Sequence, residues 1–255
     1  MKLLSISIAL LLCLCAVSWS LEQNDEAIVG VWLFEGNADD SSGNKNDGKV
    51  NGDFKFEDGK FGQAVVAAGG GSIDVQDSDS ILSIKTGLTI AAWFRVDADS
   101  DTGIRKNGAY LLEDQSAGEP VPNGFSFRIW TPGLSPGFYG KTELEQKKWY
   151  HVAATYDGET MEMYIDGEPE SANGALDAGK AAWDPKWNGE IAKGSPLQLK
   201  FASETYHGGI DEIVILSRAL DQKEIQQLTH GWDNAFDVEP EGKLATTWAQ
   251  LKSLR

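Results

Sequence analysis

Two kinds of chemistry are open to this chain on residue type alone: oxygen coordination of a hard cation, and carboxylate catalysis. The segment from Asn37 to Gly48 carries Asp39, Asp40, Asn44, Asn46 and Asp47 at short spacing. Calcium takes about six to eight oxygens from carboxylates, amides and backbone carbonyls, so such a loop could hold it. The same residues also build turns without an ion, because Asx side chains bond the backbone two residues on. Glycosidic cleavage by a retaining enzyme needs two carboxyls about 5–5.5 Å apart. Asp211 and Glu212 are adjacent, and a regular strand sends neighbours to opposite faces; so are Glu113 and Asp114. Glu162 and Asp166 share a face but lie roughly 13 Å apart along an extended strand. Neither a phosphate loop nor His-Glu-x-x-His occurs. The residues therefore point to a non-catalytic chain.

Aromatic side chains offer a third chemistry, stacking on sugar rings. Trp183 and Trp187 lie in the aperiodic stretch 173–195, and Trp130 and Phe138 flank Thr-Pro-Gly-Leu-Ser-Pro-Gly. Trp130, Trp183 and Trp187 are thus the candidate ligand-binding residues. The alternative is that they pin long loops to the body. His151 lies in a strand and His207 beside two glycines, so both read as structural. His230 follows a helix, where a cation suits the C-terminal dipole.

These residues need a scaffold. The chain has 255 residues, 22 Lys+Arg against 39 Asp+Glu, and a net charge of −17. That acidity disfavours nucleic acid and anionic lipid, both of which carry phosphate. Residues 1–20 read as a secretory signal: Lys2, an apolar run from Leu3 to Val17, then small residues at Ser18 and Ser20. The apolar run is too short for a comfortable membrane span. Removing 20 of the 255 residues leaves 235; with Lys2 gone, 21 cations face 39 anions, a charge of −18. Both cysteines, Cys13 and Cys15, leave with the signal, so rigidity must come from packing or a bound ion. An exported location follows: secreted, periplasmic or cell-surface.

Residues 21–27 read as a loose stub, 28–232 as one domain, and 233–255 as a tail. Strands are expected at 28–36, 62–68, 71–76, 87–96, 109–115, 124–130, 148–156, 160–166, 196–201 and 208–217. Asp157-Gly158 and Asp166-Gly167 are turn signals between alternating runs. One short helix is expected after Asp221, with Glu224 completing a capping box and Leu220, Ile225 and Leu228 facing the body. Many short strands with one terminal helix make an all-β, two-sheet antiparallel sandwich of jelly-roll type.

Four segments in order sharpen this: VGVWLFEGNADDSSGNKNDG with GKFGQA, then LTIAAWFRV, KWYHVAATYDGETMEMYIDGE, and HGGIDEIVILSRALDQKEI. Together they resemble the laminin G-like branch of the concanavalin A-like lectin/glucanase jelly rolls, over about residues 28–232. The resemblance implies a structural calcium shared between the Asp of the Asp-x-Ser-Gly-Asn loop and the Asp of the Gly-x-Ile-Asp-Glu strand. On this chain those are Asp40 and Asp211, with carbonyl help near Ser42 or Asn44. The Glu-x-Asp-x-x-Glu pattern of the family's glucanases is absent. The expected function is an exported, non-catalytic recognition module for a glycan or an extracellular protein, with calcium as cofactor. The alternatives are a polysaccharide hydrolase or lyase on the same fold, and a structural surface or matrix protein.

Overall fold

The computed structural model describes residues 20–97, 102–114, 124–132, 135–171, 190–202 and 208–236. The expected signal segment before Ser20, the tail beyond residue 236, Trp183, Trp187 and His207 lie outside the described residues.

Among the described residues, thirteen antiparallel strands form the body: β1 (Ile28–Trp32), β2 (Gly48–Asp58), β3 (Gln63–Val75), β4 (Leu88–Val96), β5 (Thr102–Lys106), β6 (Tyr110–Asp114), β7 (Phe125–Ile129), β8 (Gly137–Tyr139), β9 (Trp149–Tyr156), β10 (Met161–Ile165), β11 (Glu168–Pro169), β12 (Leu197–Ala202) and β13 (Gly208–Leu216). Two short helices, α1 (Asp79–Leu82) and α2 (Gln222–Leu228), complete it, with a single 3-10 turn at Trp232–Asn234. The strand order is β11-β10-β9-β4-β13-β3-β12-β5-β6-β7-β8, with β1 added on β13 and β2 on β3.

The two expected layers are one continuous sheet that turns over on itself, and β3 makes the turn. Its first half pairs with β13, Val65 opposite Ile210; its second half pairs with β12, Ile73 opposite Lys200. β2 follows it and slips register between Gly52 and Phe54. Gly52 has φ +106°, which a Cβ would resist, and a Cβ on Gly71 would lie 2.4 Å from the Asn51 carbonyl oxygen. The runs expected at 62–68 and 71–76 are thus one bent strand. β2, β5, β8 and β11 were not expected. β2 is mostly exposed and carries Lys, Asp and Glu, as suits a strand with one neighbour, so it has no clean apolar alternation to read.

The inner core lies between the layers and includes Trp32, Phe94, Phe127, Tyr156, Ile210, Ile213 and Ile215. A second cluster on the outer face joins Val31, Ala91, Ala153, Val214 and Leu216 to Leu220, Ile225 and Leu228 of the helix region, as expected. Asp221 caps α2 through a full capping box with Glu224. The β10–β11 turn has φ +51° at Asp166 and +80° at Gly167, the two left-handed residues that a tight hairpin of matching twist requires. Residues 21–27, expected to be loose, pack instead. Leu21 is 2% exposed and its N–H donates to Gln227 Oε1 at 3.0 Å. Asp25 pairs with Arg218 at 2.6 Å, and Arg218 also grips Glu224 at 2.6 Å.

Candidate functional site

The acidic loop after β1 is held by its own hydrogen bonds. Asp40 Oδ1 accepts from Val31 N at 3.0 Å and Ser42 N at 2.9 Å. Its Oδ2 accepts from Ser42 Oγ and Asn46 N, both at 2.9 Å. Four donors fill the positions a carboxylate offers, so a cation at Asp40 would have to displace them. Asn44 Nδ2 donates to the Ile28 and Val29 carbonyls at 2.8 and 3.2 Å, which ties the loop back to β1.

Asp211 serves a different turn. Its Oδ2 accepts from Lys60 N at 2.9 Å and Phe61 N at 3.0 Å, which ties the β2–β3 turn to the sheet. A Cβ at Gly59 would lie 2.6 Å from that oxygen, so glycine permits the approach. No described contact joins Asp40 or Asn44 to Asp211. Among the described residues, no three His, Cys, Asp or Glu side chains gather to hold a metal ion.

Asp211 and Glu212 do not point to opposite faces. Glu212 has φ +46°, and the register with β4 slips between Asp211 and Val214. That extra residue is a β-bulge, which breaks the alternation and leaves both carboxylates on the outer face. Glu212 Oε2 there accepts from Trp232 N at 2.7 Å. Burial raises both pKa values to about 7, with mutual repulsion and nearby Glu35 adding to the effect at Glu212.

Asp211 stands opposite Trp93, and Trp93 opposite His151, in one row across β13, β4 and β9. Trp93 and His151 rings meet at 5.4 Å, and the Lys60 ammonium sits 4.2 Å from the Trp93 ring centre. Asp211 Oδ1, Trp93 Nε1 and His151 Nδ1 are buried with no hydrogen-bond partner among the described residues. His151 is a buried sheet histidine whose ring Nδ1 has no partner among the described residues. Burial lowers its pKa to about 3, so the ring is neutral.

The carboxylates weighed for catalysis are occupied elsewhere. Glu162 Oε2 accepts from Tyr164 Oη at 2.6 Å, and Asp166 Oδ1 from His151 N at 2.9 Å. Gly133-Leu-Ser-Pro-Gly137 has the letters of a nucleophile elbow. Ser135 leads into strand β8, however, not from a strand into a helix as that motif requires.

Of the aromatic candidates, Phe138 is 5% exposed in the inner core, so it is a packing residue. Trp130 is half-buried just past β7, with the Arg128 guanidinium 5.7 Å from its ring centre. Its carbonyl accepts from Ala192 N at 2.7 Å, and the Lys85 carbonyl accepts from Ile191 N at 2.7 Å. These two bonds fasten segment 190–193 to the body beside a half-open cavity of about 340 Å³. Ile81, Leu82, Ile84 and Ile191 give it an apolar floor; Lys85, Lys106, Lys193, Glu190 and Tyr110 give it polar walls. Lys106 is buried and spends its ammonium on Asp77 and on the Ser195 carbonyl, the latter at 2.8 Å. Tyr110 Oη is buried without a partner among the described residues, and burial beside Asp77 holds its pKa above the usual range. Sequence reasoning missed this site. Its residues are spread from Ile81 to Lys193, and none carries a motif.

The family model described as the concanavalin A-like lectin/glucanases superfamily matches residues 67–226, more than half of the sequence, and the chain belongs to that superfamily. No curated protein matches it. Among solved structures, the binding domain of Paraclostridial mosquitocidal protein 1 is similar at TM-score 0.64 and 17% identity, covering 84% of this chain and 54% of that one. Domain 4 of an extracellular GH43 arabinanase from Geobacillus stearothermophilus, solved with arabinotriose, is similar at TM-score 0.56 and 19% identity, covering 79% and 98%. The binding domain of botulinum neurotoxin DC, solved with rat synaptotagmin II, reaches TM-score 0.61 at 16% identity, covering 83% and 52%. This chain thus spans about half the length of those toxin binding domains. At these identities the likeness is one of fold. No helix among the described residues is long and apolar enough to cross a membrane.

Proposed function

We propose that this member of the concanavalin A-like lectin/glucanase superfamily is an exported, non-catalytic carbohydrate-recognition module. One observation carries the proposal: the cavity under segment 190–193, with an apolar floor and polar walls, has the make-up of a small-ligand site. The arabinanase domain supports it, since that domain is matched over 98% of its length and was solved with a sugar bound. Sugar rings offer an apolar C–H face and a rim of hydroxyls, which this lining would complement. Trp130, beside the cavity, and Trp183 and Trp187, in the chain leading to Glu190, are the aromatic residues proposed to extend the contact.

Calcium belongs to the proposal only through Asp211. Its Oδ1 is the carboxylate oxygen of the expected set that is buried and unpartnered, whereas Asp40 is saturated. Such an ion would supply charge neutralisation there, but Asp211 offers one oxygen of the about six to eight that calcium takes, and no group of three acidic, His or Cys side chains completes the shell among the described residues.

A hydrolase is the second reading, favoured by the bulge that places Asp211 and Glu212 on one face with raised pKa values. Against it, Asp211 is fully buried and its bonded oxygen is used on backbone amides. Pull-down on insoluble polysaccharides tests the proposal. Retention on at least one glycan is expected; a protein that binds no glycan but captures a protein partner would replace it.

A further inference from the structure

We propose that the cavity beneath segment 190–193 selects an acidic sugar, a ring bearing one carboxylate or sulfate ester, over a neutral one. This rests on the carbohydrate-recognition reading and adds the chemical class of the ligand. The chain as a whole is strongly anionic, at −17, yet three of the lysines converge on this one cavity against a single glutamate. Asp77 takes the charge of Lys106. Lys85 and Lys193 are exposed at the rim, and no ion pair among the described residues involves either. Two lysines thus border the cavity beside one acidic residue, Glu190, and no ion pair among the described residues involves any of the three. A hollow elsewhere, against β9 and β10, shows the contrast: Asp157, Glu162 and Asp221 line it and no cation does.

The rest of the lining suits a ring. Four aliphatic side chains make the floor, and a sugar's C–H face buries against such a surface. Tyr110 also lines the wall, with its hydroxyl fully enclosed. Lys106 is anchored at both Asp77 and Ser195, so it braces the wall without needing the ligand. At about 340 Å³ the cavity is at the small end of ligand sites, about 300–1,000 Å³. It fits one sugar unit with its substituent, not a long oligosaccharide. The anion is thus expected between Lys85 and Lys193, with the ring over Ile81, Ile84 and Ile191.

Amide-detected NMR titration of the full chain with D-galacturonate, D-galactose 6-sulfate and D-galactose tests this. Expected is saturable binding of at least one acidic sugar, with shifts centred on residues 81–85 and 190–193. The galacturonate and sulfate arms tell which anion is preferred. Galactose should bind at least about tenfold more weakly, and a Lys85→Gln, Lys193→Gln double variant should lose about tenfold for the acidic ligand. The double variant should keep the wild-type melting temperature, because both side chains are exposed. Glu190→Gln should tighten binding, which a purely structural role would not do. Equal affinity for galactose, or an unchanged affinity in the double variant, overturns the acidic preference and leaves sugar recognition standing. Absence of any glycan in the pull-down overturns the recognition reading itself.

Discussion

Replacing Asp211 by Asn should change how stability depends on pH. In the fold its carboxyl titrates near pH 7, against an ordinary value of 3.8, because burial opposes the charge. Between about pH 4 and 7 the folded chain therefore holds a proton that the unfolded chain has lost. Stability falls as pH rises across that window, and the penalty is complete above pH 7. A shift of roughly three units at about 1.4 kcal/mol each bounds it at about 4 kcal/mol. Glu212 titrates in the same range and in the same direction, so the wild-type slope belongs to the pair. Asn keeps one oxygen for the Lys60 and Phe61 amides and removes the charge. It buries an NH₂ where Oδ1 has no partner, at about 1–3 kcal/mol. Asp211→Asn should thus be less stable than wild type at pH 4.5 and more stable at pH 8. Its pH slope should fall by about half, since Glu212 also loses a repelling neighbour. Urea denaturation at half-unit pH steps measures this. A wild-type stability that rises from pH 5 to 8, or a variant profile parallel to wild type, refutes the reasoning.

Arg218→Met removes the shared partner of Asp25 and Glu224; a loss of about 1–3 kcal/mol is expected, read from thermal or urea melts. Asp221→Ala deletes the α2 cap and should cost about 1 kcal/mol in the same measurement. Millimolar calcium against chelator should leave the melting temperature of Asp40→Asn and wild type shifted equally, because Asp40 has no oxygen to spare. A calcium shift seen in wild type and lost in Asp40→Asn would place the ion in the acidic loop instead.

Much of the fold was legible because its signals are local. The alternation in β4, β9 and β10, the Asp-Gly turns and the Asp221–Glu224 box each lie within one short window. The bent strand β3 was not legible as one strand. Its continuity depends on pairing with β13 at one end and β12 at the other, a matter of long-range partners. The bulge at Glu212 was hidden for a similar reason. Nothing in Gly-Ile-Asp-Glu-Ile says that Glu212 will be left-handed until Trp232 and the second cluster claim its carboxylate. The acidic loop was read correctly as rich in oxygens, but those of Asp40 are aimed at the loop's own amides. The cavity was invisible because its lining comes from three separate stretches, 81–85, 106–110 and 190–193, which only the fold brings together.

The most direct test is to incubate the protein with the polysaccharide it retains best and to measure bound protein and new reducing ends together. Saturable retention with no release of reducing ends is the expected result for a recognition module. Release of reducing ends that disappears in Glu212→Gln would contradict it and make the bulged carboxylate pair an active site.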